Sequence, residues 1–243
     1  MSQNRYPQKT PAEYRMEEEY LAQNGTRRVP IVVCVDCYYS MRQNQRLQKE
    51  MEGLHAFRQE MENDRIACDT VELCLVQFSG EAARVVCDFA TPDVLQLPDT
   101  LATEGETPLA DAVNLALEMI EQRKARYADY GISYYRPWMV IIGDGDETRS
   151  DRQLQETARR LRAEYDAKHL NVLCVIVGDD SQVRNESSSL RSLSPDGKVH
   201  FLRDLKFCEF FGWFSRSIHK ASMSMSGEEL LYEPTGDWAE ILG

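Results

Sequence analysis

Residues 29–41 read VPIVVCVDCYYSM. The first eight form a nearly continuous apolar run rich in β-branched side chains, the pattern of a strand buried on both faces. The run ends in Asp36, and Cys37, Tyr38, Tyr39 and Ser40 follow at once. A strand covered on both faces belongs inside a parallel sheet with helices above and below it. The carboxylate and hydroxyl that follow it are then delivered to the carboxyl edge of the sheet, where such folds bind their ligands.

Moving outward, the same alternation repeats. Leu47, Met51, Leu54, Phe57 and Met61 recur in steps of three and four, an amphipathic helix. Val71–Phe78 is a second strand and Val85–Phe89 a short third one. Leu109, Val113, Ala116 and Ile120 mark a helix, with Pro108 where a first-turn proline is tolerated. Trp138–Ile142 is a strand ending in Gly143-Asp144-Gly145, followed by a helix that Asp151 is expected to cap and that carries Leu154, Ala158, Leu161 and Tyr165. Val172–Val177 and Val199–Leu202 are further strands, and Phe207, Phe211, Phe214 and Ile218 a last helix. This order predicts an α/β fold, a doubly wound, mostly parallel central sheet flanked by helices on both faces. No Pro/Gly/Ser-rich linker divides it, so residues 29–220 read as one domain. Residues 1–28 read as a polar extension with one short helix, started by Thr10, Pro11 and Glu13. Residues 221–243 read as a tail.

Composition removes several classes of function. Forty Asp and Glu against 28 Lys and Arg give a net charge of -12. A nucleic-acid binder needs a basic face, and anionic lipid repels an acidic one. No apolar run approaches the ~20 residues of a membrane span, and MSQNRYPQKT lacks the apolar region of a secretory signal. Of the seven cysteines, Cys34, Cys74, Cys87, Cys174 and Cys208 lie in apolar stretches, as small core residues do. Cys34 and Cys37 have no second C-x-x-C to make a zinc site. A cytoplasmic protein is the expectation. The four histidines, His55, His169, His200 and His219, stand singly and beside no nucleophile.

The informative residues lie just after the strands. Asp36 and Ser40 follow the first, Asp144 follows Trp138–Ile142, and Thr107 sits in Gly105-Glu106-Thr107-Pro108-Leu109, a loop that runs into a helix. Two carboxylates and two hydroxyls on one edge suit a hard divalent cation such as Mg²⁺ and not zinc. Asp146 and Glu147 extend the edge as an acidic rim, and Tyr38 and Tyr39 are candidate interface aromatics.

These residues resemble the von Willebrand factor A (VWA) family. Its metal-ion-dependent adhesion site combines D-x-S-x-S after the first strand, a threonine before a P-L helix start and an aspartate in a later D-G turn. Asp36 and Ser40 in DCYYS, Thr107 in GETPLADAV and Asp144 in GDGDET match it. Residues 210–218, FFGWFSRSI, also look like the end of the bacterial TerY/YegL-like VWA proteins of tellurium-resistance gene sets. The resemblance implies a cytoplasmic protein-interaction module, with a cation completed by an acidic residue of a protein partner. It further implies an adaptor in a stress-response or defence-type system, alongside a kinase and a phosphatase. Tyr38 replaces the first serine of the motif, which removes a direct ligand, so Mg²⁺ binding is expected to be weak or absent.

An enzymatic alternative is a Mg²⁺-dependent phosphohydrolase of the haloacid-dehalogenase type, using Asp36, Thr107, Lys124 and the Gly143-Asp144-Gly145 turn. It needs a second aspartate two residues after Asp36, where Tyr38 stands, and an apolar strand before Thr107, where 103–106 are mostly polar.

Overall fold

All eight residues of β1 (Val29–Asp36) are buried, because β1 is an inner strand of a seven-stranded sheet. The computed structural model describes residues 5–7, 9–144, 150–178, 189–223 and 239–242. The remaining strands are β2 (Val71–Ser79), β3 (Ala82–Ala90), β4 (Trp138–Gly143), β5 (Asn171–Ile176), β6 (Val199–Leu202) and β7 (Ala239–Leu242). Their order is β3-β2-β1-β4-β5-β6-β7. The inner pairings are parallel, and β3 and β7 are antiparallel strands at the two edges. The doubly wound α/β reading therefore holds.

Because side chains alternate along a strand, β1 feeds two cores. Val29, Ile31, Val33 and Val35 point to one face. There they meet Leu47, Met51, Leu54, Phe57 and Met61 of α2 (Arg46–Asn63), the stripe expected from the sequence. Val32 and Cys34 point to the other face, against α4 (Leu109–Asp129) and α5 (Asp151–Asp166). The short helices α3 (Arg65–Thr70) and α6 (Ser189–Leu193) fill corners, and α7 (Phe207–Met223) closes the first face. Phe210, Phe211, Trp213, Phe214 and Ile218 of α7 are all buried there, so the 210–218 motif is a packing motif. Gly53 lets α2 and α7 touch, since a Cβ on it would meet Phe207 Cβ at 2.7 Å.

Three details differ from the sequence reading. The 221–243 segment is no mere tail: α7 runs on to Met223, and Ala239–Leu242 pairs with β6 as an edge strand. Ser150, not Asp151, caps α5, its hydroxyl accepting the Gln153 N–H. Cys208, expected in the core, is exposed, and Cys87 is only half-buried.

Residues 9–28 are held against the domain. Their helix α1 (Pro11–Gln23) has the expected capping box between Thr10 and Glu13. Leu21 of α1 packs in a small apolar cluster with Tyr127 and Ile132, and charge adds to its hold. Glu72, fully buried on β2, accepts from Arg123 Nε at 2.6 Å and from the Tyr127 hydroxyl, with Arg28 Nε 3.7 Å from its other oxygen. Arg123 also pairs with Glu17 of α1, and Lys9 joins Glu17 (2.7 Å) to Asp88 of β3 (2.5 Å). Within this cluster each buried charge has an opposite one beside it, as burial demands.

Candidate functional site

The loops after β1 and β4 meet at the carboxyl edge of the sheet. Val35 pairs with Ile142, which sets Asp36 beside Gly143. A Cβ built on Gly143 would stand 3.0 Å from Asp36 Oδ2 and 3.1 Å from Asp36 Cβ, so glycine there makes room for the carboxylate. Asp36 is 1% exposed and accepts the Tyr38 N–H at 2.8 Å through Oδ1. Ser40 lies in a 3-10 turn, Tyr39–Gln45, and its hydroxyl donates to Asp144 Oδ2, a contact between residues 104 apart in the chain.

A third segment crosses the same edge. Glu104 N–H donates to the Cys37 carbonyl at 3.2 Å, and Gly80 N–H donates to the Glu106 carbonyl at 2.9 Å. These bonds tie residues 104–106 across the ends of β1 and β2, which brings Thr107 to that edge. Thr107 is buried, and its carbonyl accepts the Leu109 N–H at 2.9 Å as α4 begins.

Tyr38 is half-buried and bridges Glu104 through its backbone. Tyr39 is 52% exposed, with its ring 5.9 Å from that of Tyr38 and the Arg42 guanidinium 5.5 Å above it. Gly105 is what lets the third segment lie against Tyr39, because a Cβ there would meet the ring at 3.1 Å. Asp146 and Glu147 lie outside the described residues.

The donors gathered at this edge are all oxygen, two carboxylates and two hydroxyls, the set that suits a hard cation. Among the described residues no three His, Cys, Asp or Glu side chains form a metal cluster. A site of this composition would not form one, since half its donors are hydroxyls. Ser40 and Asp144, joined across two loops, are donors of the chemical kind a hard cation takes. Cys34 and Cys37 fall in opposite cores, so they are not a pair of ligands. The lysine named for the phosphohydrolase alternative stands apart from this edge. Lys124 lies fifteen residues beyond Leu109 on α4, about 22 Å along the helix axis at 1.5 Å per residue, and its ammonium pairs with Glu121 at 2.8 Å.

Glu50, in the second turn of α2, went unremarked in the sequence. It is fully buried, and neither carboxylate oxygen has a hydrogen-bond partner. Burial, and then the negative charge of Asp36, push its carboxyl well above the ordinary range. The available signal was its place in the α2 stripe, three residues after Leu47 and four before Leu54, where an apolar residue is expected.

The sequence matches no protein-family model and no curated protein. Among solved structures, the pilus adhesin SpaC from Lactobacillus rhamnosus GG superposes on 80% of this chain and 30% of its own, with TM-score 0.61 and 13% identity. Proximal thread matrix protein 1 from the mussel byssus superposes on 81% of this chain and 49% of its own, with TM-score 0.52 and 12% identity. This chain therefore spans less than half the length of either protein. At such identities the likeness is one of fold, the doubly wound sheet with helices on both faces. The SpRpn10 VWA domain superposes on 68% of this chain and 82% of its own at TM-score 0.48 and 11% identity, too loosely to add to it. Among the described residues no helix is long and apolar enough to cross a membrane.

Proposed function

We propose that this chain is a VWA-type protein-interaction module of the TerY-like kind, with a weak divalent-cation site at the carboxyl edge of its sheet. The observation that carries the reading is the Ser40–Asp144 hydrogen bond, which brings two of the four motif residues together from distant loops. Asp36 beside Gly143, and the 104–107 segment tied across the same edge, support it. Ser40 and Thr107 would hold the cation directly, and Asp36 and Asp144 through water. When bound, the cation supplies the positive charge that lets a partner's carboxylate approach an acidic surface. Mg²⁺ suits these donors and keeps water readily. Tyr38 in place of a serine leaves one hydroxyl ligand fewer, hence the weakness.

Tyr39, an exposed aromatic on the loop that carries Ser40, serves as the anchor for a protein partner, with Tyr38, Asp146 and Glu147 as further partner-binding residues proposed from the sequence. The adaptor role in a cytoplasmic bacterial stress-response or defence-type system, next to a kinase or phosphatase, belongs to the same proposal and is supported by the motif resemblance alone. A net charge of -12 speaks against nucleic acid as the partner.

Titration calorimetry and melting curves with Mg²⁺ and Mn²⁺ test the reading. Wild type gains stability with cation concentration, Asp36→Asn and Thr107→Ala lose the gain, and Tyr38→Ser strengthens it. A folded wild type indifferent to millimolar cation would end the metal part of the proposal.

A further inference from the structure

A cleft of about 980 Å³ opens between α1, the loop 91–97 and the side of α2 that carries His55 and Arg58. Met16 of α1 and Val94 of the loop both line it. At 68% and 61% exposure they are the two most exposed large apolar side chains among the described residues. Half-buried Tyr20 and Leu97 join them in the lining. One exposed apolar side chain is ordinary, but two from separate elements around one hollow mark a contact surface. The cleft lies far from the candidate cation site. Ala90, in its lining, pairs with Leu73 near the start of β2, whereas Gly80, just past the end of β2, is tied to Glu106. From Leu73 to Ser79 the strand covers about 20 Å.

Charge and hydrogen bonding narrow what fills the cleft. Its cations are engaged within the fold: Lys9 pairs with Glu17 at 2.7 Å, Arg58 with Glu62 at 2.9 Å and Arg123 with Glu72 at 2.6 Å, and His55 lies 3.7 Å from Asp99. Glu13 and Asp93, both exposed in its lining, form no ion pair among the described residues, so the charge left for an occupant is negative. The cleft also offers no strand edge. The Thr91 carbonyl accepts the Val94 and Leu95 N–H groups, the Pro92 carbonyl accepts Arg58, and farther along β3 the Val85 N–H goes to the Arg5 carbonyl. An occupant must therefore satisfy its own backbone, as a helix does. We infer that the cleft docks an amphipathic helix of a partner protein, its aliphatic face on Met16 and Val94 and its lysines or arginines beside Glu13 and Asp93. Methionine suits such a surface, because its unbranched thioether refits to side chains of different shape. The cleft and the proposed cation edge lie at opposite ends of β2, so each can engage its own partner.

The probe is a synthetic leucine–lysine peptide of about 18 residues, long enough to form a helix, with its leucines on one face. Two control peptides accompany it: one of the same composition with the leucines dispersed around the helix, and one with glutamate in place of lysine. Each is titrated calorimetrically into the full chain, as wild type, Met16→Ser, Val94→Ser, Asp93→Lys and Tyr39→Ala. All four changed side chains are exposed, so the variants should melt with wild type. The expected result is that wild type and Tyr39→Ala bind the one-faced lysine peptide equally and prefer it to both controls. Met16→Ser and Val94→Ser should each bind it about tenfold or more weakly, and Asp93→Lys should weaken it too. Equal binding of the one-faced and dispersed peptides reports general attraction to a chain of net charge -12 and overturns the inference. Undiminished binding by both Met16→Ser and Val94→Ser overturns it, as does a wild type that binds none of the peptides or takes the glutamate peptide as well. Loss of binding in Tyr39→Ala moves the contact to the cation edge and also overturns it.

Discussion

Replacing Gly53 by alanine sets two opposed effects against each other, and the structure decides between them. Alanine is favoured over glycine inside a helix by about 0.8–1.0 kcal/mol. At position 53, however, the new Cβ would stand 2.7 Å from Phe207 Cβ, 3.0 Å from the Phe207 carbonyl carbon and 3.0 Å from Phe211 Cδ2. Carbon atoms pack best at about 3.5–4.0 Å, so the tightest contact is short by roughly 0.8 Å. Phe207 Cβ and its carbonyl carbon cannot swing aside as a side-chain tip would. The start of α7 must move instead, and α7 carries Phe210, Phe211 and Phe214 into the core. Overpacking costs about 1–3 kcal/mol, and backbone atoms that cannot swing aside put this contact in the upper part of that range, about 2–3 kcal/mol. After the helix gain is set against it, Gly53→Ala should destabilise the protein by about 1–2 kcal/mol. For a domain of this size that lowers Tm by about 2–8 °C. Urea unfolding followed by tryptophan fluorescence measures it, with m unchanged from wild type. Gly25→Ala is the control, since nothing lies within 4 Å of a Cβ there. If Gly53→Ala proved as stable as wild type or more so, the α2–α7 crossing would have to be wider than described, and the reasoning would fail.

Glu72→Gln removes the anion between Arg28 and Arg123, both buried, and should cost about 3–5 kcal/mol in chemical denaturation. Docking of α1 should weaken in acid: burial works against the charge of Glu17, but its bonds to Lys9 and Arg123 outweigh that and lower its carboxyl below 4.5. A lowered carboxyl contributes stability that is complete above its unfolded value and lost as pH falls through the folded one. Hydrogen exchange of the α1 amides should therefore speed up below about pH 4, ahead of the β1 amides; simultaneous loss would contradict it. Gly143→Ala crowds Asp36 and should abolish the Mg²⁺-dependent gain in melting temperature while the protein stays folded. Tyr39→Ala, at a half-exposed ring, should leave Tm unchanged and weaken partner binding by about 2 kcal/mol, read by calorimetry once a partner is in hand.

The architecture was legible because burial on both faces writes itself into a strand as an unbroken apolar run, and helix faces as steps of three and four. Val29–Asp36, the Leu47–Met61 stripe and the Thr10–Glu13 capping box each carry such a local signal, and each forms as expected. The four motif residues were legible as types at strand ends, and parallel pairing of β1 with β4 then brings their ends to one edge. What depends on pairing between distant segments was not legible. Ala239–Leu242 is too short to declare itself a strand until β6 offers it hydrogen bonds. Glu72 inside an apolar strand, Arg28 before another and Arg123 on a helix look like unrelated charges until the register stacks them. Glu50 is one acid among forty in composition. Only the docking of α2 on the sheet buries it, because burial across elements is decided by how the elements pack and not by spacing along the chain.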